Sequence, residues 1–205
     1  MNYETGLQYA EEITNLIQPY CEKIKIAGGI RRQKENPHDI ELVVQPIIEK
    51  LDAPNLYGHT QVYSENRLDP IIQGLIKSGH FHTGEINKAG RKAPCGPRNY
   101  RLKYKDEQLD IFAVLPPADW PVILTIRTGD GDFSHWLVQQ GYDRGLRVKD
   151  GHLEQNGKPT PCLDETDFLR TMIGTWVEPK DRNLQWITSF EASRKAELDR
   201  VRKMM

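Results

Sequence analysis

Three carboxylates lie where the chain is otherwise apolar. Asp39 and Glu41 stand two residues apart at the head of the run Ile40-Glu41-Leu42-Val43-Val44. On a strand, that spacing turns both side chains to one face. Asp110 sits inside a second apolar run, Leu109-Asp110-Ile111-Phe112. An acid within such a strand is costly unless it is paired, exposed or bound to a cation. If the two strands are neighbours, the three carboxylates converge. Hard oxygen donors of this kind suit Mg²⁺, which shares its shell with substrate phosphates. Two such ions, roughly 3.5–4 Å apart, can activate an attacking oxygen and stabilise a leaving one. The competing arrangement is an ordinary edge strand with Asp39 and Glu41 outward and Asp110 in a salt bridge.

Gly28-Gly29-Ile30-Arg31-Arg32 precedes the acidic pair. Glycines let a phosphate approach backbone N–H groups closely. Arginine offers a forked donor to phosphate oxygens. A glycine turn, two arginines and a nearby acidic pair can form one phosphate-plus-metal site; a plain turn with surface charge is the other reading.

The elements that must position these groups follow from periodicity. Leu7, Ala10, Ile13, Ile17 and Tyr20 recur at helical spacing, so residues 5–22 read as an amphipathic helix. Ile24 to Ala27 and Ile40 to Val44 read as strands, and residues 46–53 and 67–79 as helices. Arg101 to Lys105 and Gln108 to Leu115 read as strands around a turn at Asp106-Glu107, with Pro116-Pro117 ending the second. Val122 to Ile126 reads as a further strand, and Asp132 as the cap of a helix from Phe133 to Arg144. Turns are expected at Asp150-Gly151 and Asn156-Gly157. Asp164 with Asp167 resembles a capping box for a helix that Gly174 ends, and residues 184–203 read as a charged helix. The fold class is α+β: a mixed sheet with helices, followed by a small α/β unit.

Composition bounds the rest. The chain has 205 residues, 38% of them hydrophobic, which is enough for a sizeable core. No run approaches 18 apolar residues, so no membrane association is expected. The N-terminus shows no secretory pattern, and a cytoplasmic or nucleoid-associated, non-secreted protein is expected. Cys21, Cys95 and Cys162 form neither a disulfide framework nor a zinc spacing. The net charge is -1, with 28 Lys and Arg against 29 Asp and Glu. The stretch from Arg67 to Lys103 is uneven, with eight basic residues against two acidic ones. That surplus can guide nucleic acid or form a solvated face. Lys88, Arg91, Lys92 and Arg98 within it are the candidate nucleic-acid-binding residues.

Taken together, the motifs resemble the nucleotidyltransferase signature of family X DNA polymerases, the DNA polymerase beta-like group. That pattern is Gly-Ser-x-Arg-Arg followed by Asp-x-Asp, and Leu109-Asp110-Ile111-Phe112 is similar to the strand of its third carboxylate. Arg127-Thr128-Gly129-Asp130 resembles the family's Phe-Thr-Gly-Ser turn beside the nucleotide sugar. Gly145-Leu146-Arg147-Val148 and the segment Trp176 to Arg182 look like parts of its C-terminal subdomain. The blocks run in the family's order over roughly residues 24–182. Gly29 replaces Ser, Glu41 replaces the second Asp, Ile126-Arg127 replace Tyr-Phe, and Gln108 stands where Arg is common.

The resemblance implies a palm over residues 1–128, a thumb-like subdomain over 129–183 and a charged helical tail over 184–205, the minimal form of the family. It implies Asp39, Glu41 and Asp110 as catalytic, metal-binding carboxylates for two Mg²⁺ ions, with Mn²⁺ as a substitute. Gly28, Gly29, Arg32, Arg127, Thr128 and Gly129 would bind a nucleoside triphosphate. The implied reaction joins a nucleoside monophosphate to the 3′-hydroxyl of a DNA primer, releasing pyrophosphate, in gap filling or repair. Template-independent transfer to DNA, RNA or protein and a non-catalytic nucleic-acid-binding module are the alternatives. Protein partners are not indicated.

Overall fold

The computed structural model describes residues 1–54, 60–84 and 93–204. Helix α1 (Tyr3–Ile17) starts at Asn2, whose side chain accepts from the Thr5 N–H at 2.8 Å. Ala10, Ile13 and Ile17 form its buried stripe. A 3₁₀ turn containing Pro19 ends it. Next come β1 (Cys21–Ile26), a one-turn helix α2 (Gly28–Arg31), β2 (Ile40–Pro46), β3 (Ile48–Pro54), β4 (Thr60–Asn66) and α3 (Leu68–Lys77). β5 (His82–Thr83), β6 (Cys95–Gly96), β7 (Asn99–Tyr104) and β8 (Glu107–Ala113) complete the first part. The second part holds α4 (Trp120–Thr128), α5 (Gly131–Gln139), β9 (Leu146–Lys149), β10 (His152–Gln155), β11 (Lys158–Pro159), α6 (Glu165–Ile173) and α7 (Leu184–Met204).

The architecture is α+β. The main sheet has the order β1-β2-β8-β7-β5, with β6 also pairing β7. β2 and β8 run parallel, and its other pairings are antiparallel. β3 and β4 form a separate ribbon, and β9, β10 and β11 a small antiparallel sheet. Alternation along β2 and β8 sorts their residues between two faces. Leu42, Val44, Leu109 and Ile111 join the core under α1 and α3, while Val43 and Phe112 join Ala27, Val114 and Leu124 on the opposite face. That opposite face also carries Glu41 and Asp110. A further core gathers Val122, Phe133, Leu137, Phe168, Met172 and Ile187, so the base of α7 belongs to it.

Two expected elements change type. Residues 46–53 contribute a strand, β3, which pairs with β4 from Ile48↔Asn66 to Pro54↔Thr60. Pro46 and Pro54 bracket a segment too short to be helical without tertiary support. Val122 to Ile126 is helical, within α4. A short apolar run does not distinguish a strand from a helix packed on two sides. Here Val122 and Ile126 face one core, and Leu124, about 200° round the helix, faces another. The cap of α5 is Asp130, which accepts from the Phe133 N–H at 2.8 Å, not Asp132, and the helix ends at Gln139. The Asp164 cap and the Gly174 stop of α6 are as expected, as are the turns at Asp150-Gly151 and Asn156-Gly157. Among the described residues, no helix is long and apolar enough to cross a membrane.

Candidate active site

The parallel register sets Glu41 of β2 beside Asp110 of β8, and the antiparallel register sets Arg101 of β7 on the other side of Asp110. These three side chains form one row across the sheet. Val43, Phe112 and Asn99 form the next row. Asp39 lies just outside β2, in the bend that leads into it.

Asp110 is buried, with 3% of its side chain exposed, and Arg101 holds it with both prongs of its guanidinium. Arg101 Nε donates to Oδ1 and Nη2 to Oδ2, each at 2.8 Å, and Gln108 Nε2 donates to Oδ2 at 3.1 Å. The salt bridge of Asp110, which belonged to the competing arrangement, is therefore present, and the convergence with Glu41 is present with it. Burial raises the Asp39 carboxyl above its ordinary range, and the charge of Asp110 adds to the effect. Burial, then Asp39 and Asp110, push Glu41 up from 4.5 to about 7. Arg101 is bonded to Asp110, while Arg32 and Arg127 act on the acids through space and offset part of their mutual repulsion. In donor type, the three carboxylates fit a hard divalent cation. Among the described residues, no group of three or more His, Cys, Asp or Glu side chains is arranged to hold a metal ion as it stands.

The Glu41 shift sets a pH dependence of stability. Its folded pKa lies above the ordinary value, so between about 4.5 and 7 the folded state binds more protons than the unfolded one. Stability contributed at this site therefore falls as pH rises through that window. The full penalty, about 3 kcal/mol at most, applies above it. In chelator, Glu41→Gln is expected to be more stable than wild type by about 1–3 kcal/mol at pH 8 and nearly equal to it at pH 4. Denaturant unfolding at the two pH values checks this; an equal difference at both would remove Glu41 as the source.

The glycine turn is built around the same carboxylate. Gly28 has φ +57°, and a Cβ there would run into Glu41 Oε2. Ala27 N–H donates to Glu41 O at 2.8 Å, tying the turn to the strand. Gly28→Ala is expected to cost about 1–2 kcal/mol through the left-handed backbone. It also drives the Glu41 carboxylate out of place. Denaturant unfolding of Gly28→Ala beside wild type checks the cost.

α2 and α4 close the site. Arg32 Nη1 donates to the Thr128 carbonyl at 2.8 Å, and Arg31 Nη1 to the Thr128 hydroxyl at 2.6 Å. Gly129 follows at the end of α4, where a Cβ would stand 2.7 Å from Phe133 Cδ1 and from Ser134 Oγ. The Arg127 guanidinium lies 3.8 Å from the centroid of the Phe112 ring. A cleft of about 430 Å³ opens there, lined by Arg98, Asn99, Phe112, Ile123, Arg127 and Gly151 among others. The structure thus brings together Gly28, Gly29, Arg32, Asp39, Glu41, Asp110, Arg127, Thr128 and Gly129. Arg98 is engaged with the carbonyls of Leu115 and Pro116 at 3.0 and 2.7 Å. Lys88, Arg91 and Lys92 lie outside the described residues.

Sequence reasoning missed two parts. Arg101 carried no signal beyond its membership in a basic stretch. Glu165, one residue after an N-cap, looks like an ordinary first-turn acid, yet it receives Arg31 Nη1 and Nη2 at 3.0 and 2.5 Å and Arg182 Nη1 at 2.9 Å. Thr125 Oγ1 donates to it at 3.2 Å. Burial pushes the Glu165 carboxyl up, but the two arginines outweigh this and hold it below its ordinary value. The network joins α2 to the second core. Neither protein-family models nor curated proteins give a match to the chain.

Proposed function

We propose that the chain is a Mg²⁺-dependent nucleotidyltransferase of DNA polymerase beta type. It would transfer a nucleoside monophosphate from a triphosphate to a 3′-hydroxyl and release pyrophosphate. The observation that carries this reading is the row Glu41–Asp110 across parallel strands, with Asp39 at its head and the Gly28-Gly29 turn against Glu41. In this reading the first part of the chain serves as the palm and the second as the thumb-like unit.

Asp39, Glu41 and Asp110 would hold the ions, which supply charge neutralisation at the α-phosphate and a lowered pKa for the attacking hydroxyl. Asp110, nearest the acceptor in this reading, takes the hydroxyl proton as the oxygen attacks the α-phosphorus in line with the leaving pyrophosphate. Arg32, anchored through one nitrogen to Thr128 O, presents its remaining donors to the phosphates. The partly buried Arg31–Glu165 pair keeps α2 fixed against α6 while those donors are used. Arg127, over Phe112, borders the space for sugar and base.

The test is primer extension on a gapped duplex with Mg²⁺, wild type against Asp110→Ala. Deoxy- and ribonucleotides are offered separately, and an unpaired primer is included. Templated extension that Asp110→Ala removes supports the reading. Extension of the unpaired primer alone would transfer it to template-independent addition. No incorporation under any condition would overturn it.

A further inference from the structure

The partner of Asp110 has a consequence for how a cation enters. Arg101 and Asp110 form a two-pronged pair, with both nitrogen–oxygen distances at 2.8 Å. The pair is unequal in exposure: 45% of the Arg101 side chain is accessible against 3% of that of Asp110. The carboxylate is thus fixed in the protein, while the guanidinium reaches in from the solvent side. Oδ1 accepts one bond and Oδ2 two, the second from Gln108, so three of the roughly four lone-pair sites of the carboxylate are taken. A divalent ion that takes Asp110 as a ligand needs an oxygen lone pair pointed at itself. It also needs relief from a positive charge in contact with that oxygen.

We propose that Arg101 is a resident counter-cation that a divalent ion must displace from Asp110, so that ion entry and guanidinium release are one exchange. The inference rests on the reading of Asp39, Glu41 and Asp110 as the ion-binding carboxylates. Arg101 is a positioning residue in this scheme. It keeps Asp110 oriented while no ion is bound, and it lowers the affinity of the empty site. Released, its guanidinium remains on the row of Glu41 and Asp110, where a phosphate-bearing substrate can take up its charge. Ion and substrate then bind with positive coupling, because each removes a cost the other would meet.

The exchange is local to the register. Arg101 is opposite Asp110 because β7 and β8 are paired that way, and a lysine there could not occupy both oxygens at once. The geometry therefore separates displacement from a general charge effect. A field effect depends on the charge at position 101, and displacement depends on its fork.

The experiment is a Mn²⁺ titration of the full chain without substrate, read by the electron paramagnetic resonance signal of free Mn²⁺. Wild type, Arg101→Ala, Arg101→Lys, Asp110→Asn and Arg101→Ala/Asp110→Asn are compared. Loss of a charge-assisted pair predicts Mn²⁺ binding about ten- to a hundredfold tighter in Arg101→Ala. Arg101→Lys falls between it and wild type. In parallel, the Arg101 Nε–H resonance of wild type shifts as Mg²⁺ is added and reports the release without reference to activity. Mn²⁺ binding that is unchanged or weaker in Arg101→Ala overturns the exchange. So does an Arg101→Lys variant identical to wild type beside a tighter Arg101→Ala, which would assign the effect to charge alone. If Asp110→Asn weakens Mn²⁺ binding while Arg101→Ala does not tighten it, the exchange fails and the carboxylate reading stands. If Asp110→Asn binds Mn²⁺ as wild type does in both backgrounds, the carboxylate reading fails and the exchange with it.

Discussion

Asp110→Ala is expected to lower nucleotidyl transfer at least about a thousandfold, about 4 kcal/mol of transition-state stabilisation, and to leave a folded protein. The first half follows from the role proposed for this carboxylate, which faces both the ions and the acceptor hydroxyl. The second half follows from its surroundings. Asp110 is buried beside two other carboxylates, and the arginine bonded to it, Arg101, is half-exposed. Removing it leaves no buried charge orphaned, because Arg101 can turn to water. It also relieves repulsion on Asp39 and Glu41. Stability is therefore expected to change by no more than about 1–2 kcal/mol, within the common range for single substitutions. Rapid-quench incorporation beside denaturant unfolding makes the comparison. An inactive variant that has also lost its fold would say nothing for catalysis, and an active variant would remove Asp110 from the chemistry.

Glu165→Ala is expected to show the reverse, a large loss of stability of about 3–5 kcal/mol. Arg182 is wholly buried, and its Nη2 has no hydrogen-bond partner among the described residues. Its Nε donates to Val177 O at 3.1 Å and its Nη1 to Glu165 at 2.9 Å. Without Glu165, that guanidinium keeps its charge in the protein interior with one carbonyl as its named acceptor. Arg31 loses both of its bonds to the same carboxylate and keeps only Thr128 Oγ1. The unpaired charge dominates this cost, so Glu165→Ala combined with Arg182→Met recovers part of it. Denaturant unfolding of the single and double variants tests the point. A double variant no more stable than Glu165→Ala would mean the loss comes from packing at α6.

Much of the site could be read along the chain because its signals are local. The Gly-Gly turn, the acids at the head of β2, the Asp164 cap and the Asn156-Gly157 turn each lie within a few residues of what they organise. Side-chain alternation needs only the strand itself. The sequence also placed Asp110 on a strand and offered a salt bridge as the competing arrangement, without naming its partner. Whether an apolar run is strand or helix was not local information. Val122 to Ile126 is helical because two cores receive its opposite sides, and residues 48–54 are extended because β4 lies beside them.

The contents of the site depended most on tertiary structure, and the β7–β8 hairpin shows why. A turn at Asp106-Glu107 would pair Lys103 with Asp110. In the structure the turn residues are Lys105 and Asp106, both with positive φ, and Tyr104 pairs with Glu107. Two consecutive left-handed residues match the twist of a tight hairpin. The shift of one residue in the turn moves the pairing by two and brings Arg101, with its two-pronged donor, to the buried carboxylate. Glu165 meets Arg31 across 134 residues of chain. The sequence by itself determined which residues are acidic, glycine or basic and which strand or helix face each can take. Only the tertiary structure decided which charges share a buried space, because strand register and helix docking are set by contacts far apart in the chain.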